Sequence, residues 1–397
     1  MRRRWSRRAL LAALASSAGC LGGESSPETA TESSGGSPMP TSSRTETSTE
    51  TPTATSTPTA SPTPTDTPTA SPTPTPEPVE VREWPDEYYG GPLVSAHEHM
   101  HGPDGHVMTA ETMDWFVRWM DRNRVDQVIG FTGDWYLDVV TAHDDRVVPF
   151  AFAWDSMRTD FDRAAAVLRQ RLDDHPAYAG IGEVGLKPYT TPEGEPPVPA
   201  DHPNLLEVYD LAAERDIPIM VHGSQPWFYS EERRDEFEEP MDVPGWASLE
   251  RAYAHNRDTQ FLVHATYQWG EMNDGEIVAG VLDRNPNVTY DISDLHPFAW
   301  TTPDKTQEEF ERQIAEKGVD GHAEAFYEEH ARILEDYSDR VTWGMDASYD
   351  WHYTDWALDT WVDVARSLLG RLPEENARNV GYRTAADLLD IEVDAES

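Results

Sequence analysis

The sequence has very little cysteine or lysine. A single cysteine occurs in 397 residues, so the chain can form no internal disulfide and no metal cluster built on several thiolates. Lysine occurs only as Lys187, Lys305 and Lys317, so nearly all basic residues are arginine. No run of about 18 apolar residues is present, and this excludes a membrane-spanning helix of ordinary length.

Basic residues are scarce and acidic residues are abundant. The chain has 73 acidic and 31 basic residues, for a formal net charge of −42 at pH 7. A surface of this sign repels phosphates, which excludes a nucleic-acid binder that works through general electrostatics. An acid-rich, lysine-poor surface is typical of a protein that stays hydrated in concentrated salt, where its self-repulsion is screened. We therefore interpret the charge as a sign of a halophilic habitat rather than of a substrate.

The first 20 residues have the pattern of an export signal. Five arginines precede a short apolar run at 9–15, and small residues follow it. Residues 6–11 resemble a twin-arginine signal. Residues 17–20 resemble a lipoprotein cleavage box in which Cys20 would be lipidated. We predict that residues 1–20 are an export signal and that a lipid on Cys20 is the protein's only link to the outer face of the cell membrane. An uncleaved anchor or a plain secretion signal is the alternative.

The next segment lacks every large apolar side chain except methionine. Residues 24–78 contain no aromatic residue and no valine, leucine or isoleucine, and consist mostly of Thr, Ser, Pro, Glu, Ala and Gly. Such a segment cannot bury enough apolar surface to offset the entropy of ordering. Closely spaced prolines favour an extended chain of about 3.1 Å per residue. We predict a disordered stalk at 21–79, with the folded domain at 80–397.

Eight short apolar runs follow the stalk and predict β-strands. They do not alternate with polar residues, as is typical of parallel strands covered on both faces. Helical spacing of apolar residues lies between them, for example at Met113, Phe116 and Met120. Eight β-then-α units over roughly 250 residues predict an α/β fold, a (β/α)8 TIM barrel. An open doubly wound sheet is the alternative, but no Gly-x-Gly-x-x-Gly follows the first run to support a dinucleotide fold. The runs are 92–97, 125–131, 147–153, 180–185, 217–222, 260–264, 287–292 and 341–346.

Polar residues fall at the carboxyl ends of the predicted strands, where barrel enzymes build their active sites. Residues i and i+2 of a strand point to the same face, so His97 and His99 can aim at one ion. Imidazole and carboxylate together suit zinc first, and iron or manganese less specifically. The pattern therefore predicts a site for one or two divalent ions. The candidate ligands are His97 and His99 on strand 1, Glu183 on strand 4, His222 on strand 5, His264 on strand 6 and Asp346 on strand 8.

These residues resemble the metal-ligand pattern of the amidohydrolase superfamily, in particular its amidohydrolase-related branch of metal-dependent hydrolases. The family pattern is His-x-His on strand 1, Lys or Glu on strand 4, His on strands 5 and 6, and Asp on strand 8. The resemblance covers roughly residues 92–350. Residues 182–186 are also similar to the strand-4 motif of TatD-type metal-dependent hydrolases, in which the glutamate bridges two metals. The resemblance leaves open whether Glu183 is a bridging ligand or a structural carboxylate.

The resemblance implies a hydrolase in which a bound ion activates water. Asp346 would ligate the ion, take the proton and pass it to the leaving group, while His264 or His222 polarises the scissile bond. The predicted substrate is a small organic ester, lactone, amide or phosphoester. Members of the branch also decarboxylate acids at the same metal, which is the second reading. A non-catalytic cell-surface binding protein is the third, although the complete ligand set argues against it.

The segments after the strands are rich in aromatic residues. If they line one mouth, they would suit a flat or cyclic substrate. The alternative is that the large rings hold long loops onto the barrel rim. Arg158 and Lys187 would bind a substrate carboxylate or phosphate, or Arg158 forms a surface salt bridge. No oligomeric state is predicted. The candidate aromatic contacts are Trp227, Trp269, Trp300 and Trp351.

Overall fold

A computed structural model gives the architecture of the part of the chain that follows the predicted stalk. The predicted export signal with Cys20 and the predicted stalk up to residue 78 lie outside the described residues, so both stay predictions. Within the described part, no helix is both long enough and apolar enough to cross a membrane. The structure describes residues 79–100, 109–153, 160–185, 199–223, 246–265, 275–293 and 306–393.

The described residues contain eight strands that pair in parallel and in chain order. A bridge between Glu98 and Ala347 joins the first strand to the segment after the last one, and Ala96 N donates to Trp343 O at 2.8 Å. These contacts close the sheet, and the predicted (β/α)8 barrel is confirmed. The strands are β1 (Leu93–His99), β2 (Val125–Thr132), β3 (Val147–Ala151), β4 (Gly180–Gly185), β5 (Ile219–Gly223), β6 (Phe261–Ala265), β7 (Val288–Asp291) and β8 (Val341–Thr342).

Helices lie between the strands, and some of them begin at a capping residue. Thr109 precedes the first helix, and its Oγ1 accepts a hydrogen bond from Thr112 N at 3.1 Å, as expected of an N-cap. Gly318, with φ of 70°, interrupts the longest helix with a kink. The described α-helices are α1 (Ala110–Asn123), α2 (Leu137–Thr141), α3 (Ala164–Asp174), α4 (Pro203–Arg215), α5 (Trp246–His255), α6 (Gly275–Arg284), α7 (Gln307–Asp336), α8 (Asp355–Gly370), α9 (Glu374–Arg378) and α10 (Thr384–Leu389).

Apolar side chains fill both the barrel interior and the layer between strands and helices. Along β5, Met220 belongs to an inner cluster with Phe131 and Leu262, whereas Ile219 and Val221 belong to the larger cluster that includes the helices. This alternation follows from the two-residue period of a strand. The barrel interior is therefore filled with apolar side chains, and the polar residues at the carboxyl ends of the strands lie on top of this packed core.

The predicted last strand at 341–346 is longer than the observed one. Regular pairing ends at Thr342, and the chain then follows β1 through single hydrogen bonds. A Cβ atom at Gly344 would lie 2.9 Å from His97 Cβ, so only glycine allows this close approach. The register of β1 also shifts between Ser95 and Glu98. Two irregular segments that meet in this way cannot form a regular ladder.

Candidate metal centre

Strand register brings the polar residues of three neighbouring strands to one level. His222 on β5 pairs with His264 on β6, and His264 pairs in turn with Asp291 on β7. All three side chains are buried. The carboxyl ends of these parallel strands meet at one face of the barrel, so their side chains form one continuous polar patch there.

His97, His99 and Asp346 form a compact triad of donor atoms. The Nε2 atoms of His97 and His99 are 3.3 Å apart, and Asp346 Oδ1 lies 3.2 Å and 3.1 Å from them. Donors that bind one ion at about 2.1 Å are separated by about 3 Å in octahedral and about 3.4 Å in tetrahedral geometry. Two imidazoles and a carboxylate are also the donors expected for a divalent transition metal. The residues therefore fit a divalent ion.

The backbone at Asp346 has an unusual conformation that holds this triad together. Its φ is 51°, in the left-handed region, which aspartate tolerates better than most residues. Asp346 N donates to His97 O at 2.9 Å, which ties the segment to β1. Burial raises the pKa of the Asp346 carboxyl, but the charge of His97, the hydrogen bond from His99 and the charge of His264 outweigh it. The result is a pKa well below the usual range, so the carboxylate is ionised.

Glu183, His222 and His264 form a second triad beside the first. One donor atom from each lies within 4.8 Å of the others. Glu183 Oε1 hydrogen-bonds His222 Nδ1, and Glu183 Oε2 lies 3.8 Å from His99 Nε2. His264 Nε2 lies 3.6 Å from Asp346 Oδ2. The six predicted ligands thus lie together, with Glu183 and Asp346 joining the two triads. Ligation by each residue, and the choice between one ion and two, stay predictions.

Sequence reasoning missed two residues of this centre, Asp291 and Ser293. Asp291 Oδ2 lies 3.0 Å from His97 Nδ1 and 2.7 Å from Ser293 Oγ, and Ser293 Oγ lies 2.8 Å from His264 Nδ1. Burial raises the pKa of Asp291, but hydrogen bonds from His264 and His97 outweigh it and lower the pKa. The available signal was an acidic residue near the end of the predicted strand at 287–292, in the same relative place as the candidate ligands.

Of the predicted substrate-contact residues, the structure describes Trp351. Trp351 packs against Phe310, His352 and Trp361, with ring centroids 5.5, 4.1 and 6.3 Å away. These contacts agree with the alternative in which large rings hold a loop onto the barrel. Contact of Trp351 with substrate stays a prediction. The other predicted contacts lie outside the described residues: Arg158, Lys187, Trp227, Trp269 and Trp300.

Comparison with known proteins finds similar structures only. No family model matches the chain, and no curated protein matches it. A 5-carboxyvanillate decarboxylase from Novosphingobium aromaticivorans, complexed with manganese and 4-hydroxy-3-methoxy-5-nitrobenzoic acid, is 12% identical, with a TM-score of 0.43, covering 80% of this chain and 100% of its own. A probable 2-pyrone-4,6-dicarboxylic acid hydrolase from Acinetobacter baumannii, with citric acid bound, is 10% identical, with a TM-score of 0.40, covering 75% and 99%.

A third similar structure is a dihydroxybenzoic acid decarboxylase from a Polaromonas species, with bound manganese and 2-nitroresorcinol. It is 14% identical, with a TM-score of 0.40, and the match covers 75% of this chain and 97% of the other. So little sequence is shared with any of the three that the function of this chain must be sought in its own site residues.

Proposed function

We propose that the chain is a metal-dependent hydrolase that acts on a small organic ester, lactone, amide or phosphoester. The observation that carries this proposal is the triad of His97, His99 and Asp346. Its donor atoms are 3.1–3.3 Å apart at the carboxyl end of a packed barrel, with His97 and Asp346 buried and His99 partly buried. A cluster of imidazole nitrogens around a buried carboxylate is costly unless protons or a cation compensate it. A bound divalent ion would compensate this cluster and would also make it able to activate water.

The two oxygens of Asp346 have different surroundings, and this gives the carboxylate two tasks. Oδ1 faces both strand-1 imidazoles, while Oδ2 lies nearest His264 Nε2 at 3.6 Å. When bound, a divalent ion supplies Lewis acidity toward a substrate oxygen and toward water. Asp346 Oδ1 would help hold that ion, and Oδ2 would hold the proton taken from water and return it to the leaving group.

Glu183 and His222 support a second proposal about the number of ions. Glu183 contacts residues of both triads, as a carboxylate shared by two ions would. We propose zinc as the ion, with one site at His97, His99 and Asp346. A second site would be at Glu183, His222 and His264. Imidazole and carboxylate donors also accept iron and manganese, so metal analysis of the purified protein tests both identity and number.

The N-terminal pattern supports a proposal about location. The arginine-led segment at 1–20 and the stalk at 21–79 are those of an exported protein tethered through a lipid on Cys20. Such a tether would leave the barrel free to meet small molecules outside the cell. Cell fractionation tests this proposal, because a tethered protein is found with the membranes until detergent releases it.

Substitution of Asp346 by asparagine tests the catalytic proposal. The protein is purified in high salt and screened against esters, lactones, amides and phosphoesters, with release of carbon dioxide from candidate acids measured in parallel. We expect hydrolysis by the wild type and a loss of about 10²- to 10⁴-fold in Asp346→Asn, because asparagine cannot accept the proton. Circular dichroism should show the same fold.

The exposed Asp350 provides a matched control in the same segment. Asp350→Asn should keep wild-type turnover, since this side chain lies on the surface. Full activity in Asp346→Asn would remove the proposed role of this carboxylate. Carbon dioxide release without hydrolysis would favour the decarboxylase reading instead.

A further inference from the structure

We propose that Asp291 and Ser293 are positioning residues, which keep a proton on Nδ1 of both His97 and His264. With a divalent ion bound beside Asp346, both imidazoles would then turn the Nε2 lone pair toward that ion. This inference rests on the proposed function, because it concerns how the protein prepares two of the proposed metal ligands. It is carried by a network of four side chains, each fully buried, in which every hydrogen-bond donor has to be matched with an acceptor.

The network has one consistent assignment of protons around Asp291. An ionised carboxylate only accepts hydrogen bonds. Ser293 N donates to Asp291 Oδ1 at 3.1 Å, and Ser293 Oγ donates to Asp291 Oδ2 at 2.7 Å. His97 Nδ1 lies 3.0 Å from the same Oδ2 and must therefore carry a proton. The imidazole of His97 is thus protonated at Nδ1.

The single hydroxyl proton of Ser293 decides the state of His264. Because Ser293 Oγ gives its proton to Asp291, it can only accept from His264 Nδ1, which lies 2.8 Å away. His264 Nδ1 must therefore be protonated as well. His264 Nδ1 also lies 3.4 Å from Asp291 Oδ2, so the carboxylate attracts both protonated nitrogens. One buried carboxylate thus fixes two imidazoles, directly in one case and through a serine in the other.

The opposite nitrogens of these two rings meet at Asp346. His97 Nε2 lies 3.2 Å from Asp346 Oδ1, and His264 Nε2 lies 3.6 Å from Asp346 Oδ2. A neutral imidazole with a proton on Nδ1 presents a lone pair at Nε2, which is the form that binds a metal. The arrangement therefore favours His264 as a metal ligand over His264 as a neutral hydrogen-bond donor to the substrate.

Asp291 could in principle hold an ion itself together with His97 and His264, whose donor atoms lie close enough. The two hydrogen bonds from Ser293 argue against this. They occupy both carboxylate oxygens with protons from the backbone amide and the hydroxyl of one residue. A cation in contact with Asp291 would have to displace the hydroxyl proton and both imidazole protons. We therefore propose that Asp291 hydrogen-bonds the metal-binding histidines and does not bind the ion itself.

The test compares Asp291→Asn and Ser293→Ala with the wild-type chain. Binding of Zn²⁺ and of Mn²⁺ to metal-free protein is measured by competition with a chelating dye. Nitrogen-15 NMR of labelled histidine reports which ring nitrogen carries the proton, with His97→Gln and His264→Gln used for assignment. We expect both variants to bind the ions about 10- to 100-fold more weakly. The NMR signal of His264 should change in Ser293→Ala, and those of both rings in Asp291→Asn.

Ser348→Ala is the matched control. Ser348 is buried near Asp346, and its Oγ has no hydrogen-bond partner among the described residues, so the same chemical change there should leave affinity and tautomers unchanged. If Ser293 had only a structural role, Ser293→Ala would lower thermal stability without altering the imidazole signals, and the inference would be overturned. If Asp291→Asn does not fold, Ser293→Ala carries the test alone.

The outcomes separate this inference from the proposed function. If the wild type binds neither ion, the proposed metal centre is wrong. If the wild type binds an ion and both variants match it in affinity and tautomer, only the positioning role is overturned. Complete loss of one equivalent of metal in Asp291→Asn, without a tautomer change in Ser293→Ala, would make Asp291 a ligand and also overturn the inference.

Discussion

Glu98 lies between two candidate ligands in the sequence, yet its side chain joins neither triad. Its Oε1 accepts a hydrogen bond from Ser95 Oγ at 2.8 Å, and its Oε2 meets no donor among the described residues. The side chain is fully buried. Burial raises the pKa of Glu98 well above its usual range, and the hydrogen bond from Ser95 lowers it only in part. A buried carboxyl of this kind is held in the neutral, protonated form.

Substitution of Glu98 by glutamine should therefore stabilise the protein as the pH rises. The folded state keeps a proton on Glu98 above pH 5, where the unfolded chain, with a pKa of about 4.3, has lost it. The wild type thus loses stability with rising pH, by at most about 1.4 kcal/mol per pH unit, until the folded carboxyl also ionises. Glutamine has no such dependence, so the advantage of Glu98→Gln should grow from pH 5 to pH 8.

Thermal unfolding of metal-free protein in a chelator measures this effect without a contribution from bound ions. Glu324→Gln, an exposed position in the middle of α7, serves as the control and should follow the wild type at every pH. A Glu98→Gln midpoint that stays parallel to the wild type from pH 5 to pH 8 would show that Glu98 is ionised in the folded state.

At the scale of elements, the buried Arg366 of α8 holds the segment before β1 against the barrel by hydrogen bonds. Arg366 donates to Tyr89 O at 2.7 Å, to Gly91 O at 2.8 Å and to Asn123 O at 2.6 Å. Its guanidinium also stacks on the Trp84 ring, 4.0 Å from the centroid. Burial lowers the pKa of Arg366 to about 9, so the group is still charged at neutral pH.

Replacement of Arg366 by methionine should destabilise the fold by about 3 kcal/mol, because one buried and two partly buried carbonyl groups lose a charged donor. Urea unfolding at pH 7 measures the change. Arg371→Met, at the exposed end of the same helix, removes a comparable side chain with little burial and should cost under about 0.5 kcal/mol. Equal losses in the two variants would mean that the carbonyl contacts contribute nothing net.

The sequence pattern predicts most elements because their apolar runs and stripes are continuous. The predicted strand at 180–185 is identical with β4, and Met113 and Met120 are buried in α1 as their spacing predicts. The predicted end of the last strand was wrong, because the observed end depends on the close approach of Gly344 to His97 in another strand.

Candidate ligands were found where a single strand pattern carries the signal. His97 and His99 stand out because they share one face of a strand, whereas Asp291 depends on the pairing of β7 with β6. Asp291 does lie near the end of a predicted strand, but only that pairing places it beside His264, and no pattern within one strand predicts the pairing. The role of Ser293 depends further on where its single hydroxyl proton goes. Strand identity could thus be predicted from the sequence, but contacts between strands could not.

For the molecule as a whole, the net charge of −42 predicts that stability depends on the salt concentration. Like charges on a compact surface repel one another, and unfolding relieves that repulsion by moving them apart. Some pairs are compensated, for example Arg169 with Glu214 and Arg284 with Glu250. With 73 acidic and 31 basic residues, most acidic groups have no basic counterpart. We therefore expect the protein to depend on screening by dissolved ions more than an evenly charged protein does.

We expect the unfolding midpoint of the full chain to rise steeply between about 0.1 M and about 1 M sodium chloride, where the Debye length falls from about 10 Å to about 3 Å. Sucrose at matched water activity is the control, since it favours compact states without screening charge. A larger rise in salt than in sucrose would assign the effect to electrostatic repulsion. A midpoint that is the same at low and molar salt would contradict the halophilic interpretation, and the excess of acidic residues would then need another explanation.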